Sequence, residues 1–250
     1  MSNIKIILLY LVITSVCYSQ QPRENISGDY LIKTKWSGSE PFNSNVPKYE
    51  LGCHSVAIAQ ILFYHKLIPR GRVDYICGNG LKVEKDLSHY NPDLSSFANN
   101  INDPEEKLLN TAEYLYNIAC IVKKDFGTDQ YIKCDDFHKS EIESQFNCQY
   151  QAYPEILENN IAEILHKKDG YYSKIIEGID AGQPLGFYYT SYKNNGHAVV
   201  IDGYLLKDDK IFIHANFGWN GKSDGWYLLE EDLPRDLKFL LLIVINPTIN

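Results

Sequence analysis

Apolar positions follow one rhythm in the first half of the chain and another in the second. In Gly52-Cys-His-Ser-Val-Ala-Ile-Ala-Gln-Ile-Leu-Phe-Tyr-His65, Ala57, Ile61 and Tyr64 recur at helical spacing, Ile58 and Leu62 flank them, and Pro69 marks the end. Pro104-Glu-Glu-Lys107 opens a second predicted helix that runs to about Val122, with Leu108, Ala112, Leu115 and Ala119 on its apolar stripe. Weaker helical patterns lie near 136–146, 154–166 and 171–182, and residues 20–50 and 70–103 read as loops. After Gly182-Gln-Pro184 the apolar runs become strand-sized, at 185–190, 197–201, 210–214, 225–229 and 239–245. Asn194-Asn-Gly196, Lys207-Asp-Asp209 and Asn220-Gly-Lys-Ser-Asp-Gly225 supply turns between them. A helical half followed by an antiparallel half predicts an α+β fold.

The first nineteen residues fit neither rhythm. Lys5 is followed by Ile6-Ile-Leu-Leu-Tyr-Leu-Val-Ile13, and Cys17 and Ser19 put small residues before Gln20. This reads as a secretory signal peptide over 1–19, leaving 20–250 as the mature chain. The run is shorter than the ~20 residues a bilayer requires, and no later run spans one either. The formal charge of −8, one more negative without Lys5, comes with no basic block, which argues against nucleic acid. A hydrophobic content of 44% is enough to fill a core and excludes a disordered chain.

Cysteine usage sharpens the picture. Beyond the signal segment stand Cys53, Cys77, Cys120, Cys134 and Cys148, an odd number, which in an exported chain points to a reactive thiol or an intermolecular bond. Cys53 opens the first predicted helix, where free N–H groups and the helix dipole favour a thiolate. A thiolate nucleophile needs a base, and His197 begins an apolar strand after a glycine turn, 144 residues on. That interval falls within the roughly 130–150 residues by which His follows Cys in papain-like enzymes. Asn216, in His214-Ala-Asn-Phe-Gly-Trp-Asn-Gly221, is expected to orient the imidazole by accepting its N–H. The Cys-His-Asn order accounts for these residues better than a zinc site built from Cys53, His197 and His214.

Three segments together resemble the streptopain family of secreted bacterial cysteine peptidases: 52–65, Gly196-His-Ala-Val-Val-Ile-Asp-Gly203, and Asn216-Phe-Gly-Trp-Asn-Gly-Lys-Ser-Asp-Gly225. Thr34-Lys-Trp36 with Pro41-Phe-Asn43 resembles that family's entry segment, so the likeness covers about 30–247. It implies a papain-like, two-lobed fold with a helical lobe carrying Cys53 as nucleophile and an antiparallel β-lobe carrying His197 as base. It further implies Asn216 as the orienting group, Trp219 in the wall of the substrate cleft, and the Cys53 N–H as an oxyanion donor. Protein or peptide substrates, no cofactor or metal, a monomer, and a secreted, periplasmic or cell-surface location after cleavage near Ser19 follow from the same resemblance.

The chain also departs from the family. The Gln that completes the oxyanion hole is missing from Ser37-Gly38-Ser39-Glu40, and Phe217 stands where Trp is usual. Only about ten residues separate the expected signal cleavage from the peptidase-like segment, so no propeptide is apparent and control would fall to an inhibitor acting in trans. The alternatives are an inactive homologue acting as a binding protein and, on weaker grounds, a cell-wall amidase, whose Cys-to-His interval is shorter.

Overall fold

The computed structural model describes residues 22–23, 26–128, 130–132, 136–157, 161–166, 168–192, 196–234 and 236–248. The expected signal peptide, Cys134 and the turn residues Asn194 and Asn195 lie outside the described residues. Its centre is an antiparallel sheet built from β3 (Cys148–Ile156), β4 (Leu185–Ser191), β5 (His197–Lys207), β6 (Lys210–Asn216), β7 (Gly225–Tyr227) and β8 (Leu237–Pro247). The strand order is β3-β8-β4-β5-β6-β7.

Side-chain alternation divides each central strand between two cores. Ala198 and Val200 of β5 and Leu241 and Ile243 of β8 enter one core, while Val199, Ile201, Leu240 and Leu242 enter the other. Both faces are covered, which explains why these strands read as continuous apolar runs rather than as polar–apolar alternation. Helices α1 (Cys53–Tyr64) and α2 (Glu105–Ile121) build the first core with the sheet, and α5 (Tyr171–Asp180) packs in the second. Every residue of α1 from His54 to Leu62 is buried. The helix that carries the candidate nucleophile is therefore the central element of its lobe, not an amphipathic surface helix.

Several expectations need correction. The loop expected over 70–103 contains the hairpin β1 (Arg72–Ile76) and β2 (Lys82–Asp86), in which only Val73 and Val83 are buried. One buried residue per strand is too faint a pattern to detect. The helix expected over 154–166 is divided: its first residues complete β3, which pairs with β8 along its length, and among the described residues only α4 (Ile161–His166) is helical. The segment near 136–146 shortens to α3 (Lys139–Gln145), and the run 225–229 ends as a strand at Tyr227 before a single turn, α6 (Leu229–Asp232). The β5–β6 turn matches its sequence, because Asp208 (φ 50°) and Asp209 (φ 59°) both take the left-handed conformation that a two-residue hairpin needs.

Candidate active site

Gly52 ends the chain's approach to α1 and leaves Cys53 at the first helical position. Its φ of 83° suits glycine, and a β-carbon there would lie 2.4 Å from the Tyr131 hydroxyl. Gly52 has no side chain with which to cap the helix. Tyr131 supplies the missing acceptor from elsewhere in the chain, taking the Ser55 N–H at 3.1 Å. The Cys53 Sγ accepts the Ala198 N–H at 3.3 Å, which joins the start of α1 to the start of β5. Burial pushes the Cys53 thiol up, while the amides of Ala198, His54 and Cys53 itself and the buried Lys124 ammonium pull it down. Among the described cysteines, Cys77, Cys120 and Cys148 are buried and Cys53 alone is half-exposed; all four are unpaired thiols. Burial holds Cys120 up near 12 and Cys148 up near 11, so both stay protonated and inert.

His197 follows at the first position of β5. Its Nε2 lies 3.1 Å from the Phe217 carbonyl. A carbonyl can only accept, so Nε2 carries the proton and Nδ1 keeps its lone pair. The imidazole stacks on the Phe217 ring at 5.6 Å and leans against Trp219 at 4.4 Å. Burial drives its pKa down to about 4, and the hydrogen bond to Phe217 offsets this only in part. The site therefore holds a thiol and a neutral imidazole.

Asn216 does not accept the imidazole N–H, contrary to expectation. Its Oδ1 is taken by the Gln60 amide (3.0 Å) and the Gly218 N–H (3.0 Å), and its Nδ2 donates to the Thr34 carbonyl at 2.8 Å. The orienting contact has passed to the backbone of the next residue. His214 is likewise unavailable for a zinc site with Cys53 and His197, because its Nδ1 sits 2.6 Å from Asp202. Among the described residues no cluster of His, Cys, Asp and Glu could hold a metal ion.

The peptidase C10 family profile matches residues 36–227. The chain belongs to the peptidase C10 family. Streptopain of Streptococcus pyogenes serotype M28 (strain MGAS6180) is 25% identical over 194 residues, covering 72% of this chain and 45% of the relative. The chain thus spans a little under half the length of that C10 relative. The active wild-type interpain A cysteine protease of Prevotella intermedia superposes with a TM-score of 0.65 at 21% identity, covering 86% of this chain and 93% of that one. A prointerpain A fragment from the same organism gives 0.67 at 19%, covering 89% and 72%. These likenesses fix the α+β, papain-like fold of this C10 member.

Within that C10 frame, the segment from Tyr30 to Gly38 runs across the junction of the lobes to the start of α1. Ser37 pairs with Trp219, and the Gly38 carbonyl accepts the Leu51 N–H at 2.9 Å. A β-carbon on Gly38 would lie 3.1 Å from the Gly52 nitrogen and 3.7 Å from Val56, so a side chain at position 38 would start at the N-terminus of α1. Glycine leaves no donor at this position. Sequence reasoning missed Tyr131, Lys124, Gln60 and the Phe217 carbonyl. The last is a backbone group and carries no sequence signal, and the other three act across chain separations that no local pattern encodes.

Proposed function

We propose that this chain is a cysteine endopeptidase that hydrolyses peptide bonds through a Cys53 thioester, with His197 as the general base. The observation that carries this reading is the junction of α1 and β5. There the one half-exposed thiol among the described cysteines accepts the amide next to a histidine whose Nε2–H is fixed on Phe217. Cys53 Sγ attacks the peptide carbonyl carbon as its proton passes to His197 Nδ1. The resulting oxyanion faces the Cys53 N–H at the helix start. On collapse the C–N bond breaks, the leaving amine takes the proton from His197, and a thioester remains. Water then attacks the thioester while His197 takes and returns a proton, releasing the carboxylic acid and the Cys53 thiol.

Trp219, 39% exposed beside the imidazole, forms a wall of the substrate cleft. Asn216 acts through the loop it anchors and not by touching His197. Substrates are proteins or peptides, no cofactor takes part, and the protein works as a monomer outside the bacterial cytoplasm after cleavage near Ser19. The pattern of residues 1–19 supports that location.

The test is labelling with an epoxide of the E-64 type and mass mapping, together with peptide hydrolysis by the wild type and by Cys53→Ala. Labelling confined to Cys53 and loss of hydrolysis in the variant are expected. Hydrolysis that survives Cys53→Ala would refute the proposal. Gly38 favours one rival, an inactive homologue that binds peptides. Peptide binding with no turnover, in both the wild type and Gly38→Gln, would establish that rival.

A further inference from the structure

A buried polar cluster joins the helix that carries Cys53 to the loop that holds His197. Gln60 lies two turns along α1 from Cys53 and is 1% exposed; Asn216 is 3% and Thr34 is 5% exposed. Backbone groups fix the orientation of both amides. The Gly218 N–H can only donate, so it meets Asn216 Oδ1, and the Thr34 carbonyl can only accept, so it meets Asn216 Nδ2. Gln60 must then present Nε2 to Asn216 Oδ1 at 3.0 Å, which leaves Gln60 Oε1 to accept the Thr34 hydroxyl at 2.9 Å. No alternative assignment satisfies all four bonds. The knot joins α1, the segment across the lobes, and the loop 216–219.

That loop carries the Phe217 carbonyl that holds His197 Nε2 and the Trp219 ring packed on the imidazole. Asn216 precedes Phe217, and Gly218 follows it. Pinning both neighbours fixes the direction of the carbonyl between them. The helix that presents Cys53 therefore also sets, through Gln60, the loop that aims the base.

We propose that Gln60 is a positioning residue for His197: its amide, through Asn216, locks the Phe217 carbonyl and hence the imidazole in register with Cys53 on the same helix. This rests on the peptidase reading of the pair. Without the Gln60 bond the loop keeps its packing of Gly218 on Val56 but loses its hydrogen bond to α1, and the carbonyl can turn away from Nε2. The imidazole then samples orientations in which Nδ1 misses the thiol. A displacement of about 1 Å can cost about 10²-fold in rate. Substrate binding along the cleft does not involve Gln60, so KM should change little.

The experiment uses Gln60→Ala and the near-isosteric Gln60→Met, which keeps the packing if the alanine variant fails to fold. Expected are a kcat reduced about tenfold or more with KM nearly unchanged, and slower alkylation of Cys53 near neutral pH. The decisive readout is a double-mutant cycle with His197→Ala. If Gln60 acts through the imidazole, adding Gln60→Met to His197→Ala should not slow alkylation further. Full slowing in that background, or wild-type kcat and alkylation in a folded Gln60→Met protein, overturns the positioning role. Should His197→Ala itself leave alkylation unchanged, the peptidase reading fails and this inference fails with it. The two failures are thus told apart by whether the His197 variant or only the Gln60 variant behaves as wild type.

Discussion

Two histidines on neighbouring strands meet very different partners. His197 opens β5, half-buried at the cleft, with its Nε2 on the Phe217 carbonyl and its ring between Phe217 and Trp219. His214 lies within β6, buried behind the site, with its Nδ1 2.6 Å from the Asp202 carboxylate and its ring stacked on Tyr30 at 3.9 Å. Both rings are fixed by one hydrogen bond and aromatic packing. A carbonyl fixes the direction of a ring but adds no full charge, so burial dominates and His197 stays neutral down to about pH 4. A neutral imidazole can take a proton, which is what a general base needs. Asp202 holds His214 through one oxygen and takes the Ile32 N–H at 2.9 Å with the other, so the His214 pair ties β5 and β6 to the N-terminal segment. The same residue type thus stands at the cleft on one strand and inside the fold on the next.

The sharpest way to break this comparison is to delete each ring. His197→Ala should lower peptide hydrolysis by about 10²–10⁴ with little effect on the urea midpoint. His214→Ala should show the opposite pattern, because it leaves the Asp202 carboxylate buried without its partner. A loss of about 3–5 kcal/mol by chemical denaturation is expected, with activity per folded molecule retained. If His214→Ala abolished turnover in the folded protein, the division of roles would be wrong.

Acid sharpens it next. Burial holds His54 down to about 3 and His197 to about 4, against an ordinary value of 6.5, and it lowers His65 and His138 as well. The unfolded chain binds these protons first. The stability these groups contribute is complete above pH 6.5 and is lost as the pH falls towards 3. Each pH unit over which one such group stays neutral is worth about 1.4 kcal/mol. Asp224, raised to about 6 by burial, works in the opposite direction between 6 and its ordinary 3.8, over a narrower span than His54 alone. Thermal unfolding followed from pH 7 to pH 4 should therefore show a falling midpoint. Activity should keep an acid limb near pH 4, well below the ordinary histidine range, and that limb belongs to the Cys53–His197 pair. A rising midpoint, or an acid limb at 6.5, would contradict the assignment of a buried neutral base.

Smaller effects test the edges of the site. Gly38→Gln places an amide at the N-terminus of α1, and its β-carbon needs the Gly52 backbone to yield by a few tenths of an ångström. Turnover should rise about tenfold, part of the 10²–10³ that an oxyanion donor can contribute; unchanged turnover with normal folding would mean that the hole is already complete. Trp219→Ala removes a ring 4.4 Å from the imidazole and should lower kcat by only a few-fold, since an aromatic pair is worth about 0.5–1.5 kcal/mol. A loss as large as that of His197→Ala would make Trp219 part of the catalytic machinery.

The sequence by itself determined the helix at 53–64, the helix at 105–121, the central strands and the β5–β6 turn, and it singled out Cys53 and His197 as the candidate pair. These features are local: periodicity, turn chemistry and the start of a helix are written into adjacent residues, and burial on both sheet faces only strengthens them. Tertiary structure decided the rest. Strand β3 exists because β8 pairs with it, although its own residues 154–156 look helical in isolation. The contact that aims His197 belongs to a backbone carbonyl, which every residue possesses and no sequence advertises. Asn216 was found as a residue but not in its role, because an amide has two ends and only the packed neighbours, Thr34, Gln60 and Gly218, determine what each end meets. Tyr131 caps α1 across 76 residues of chain, a distance over which only the folded backbone carries information.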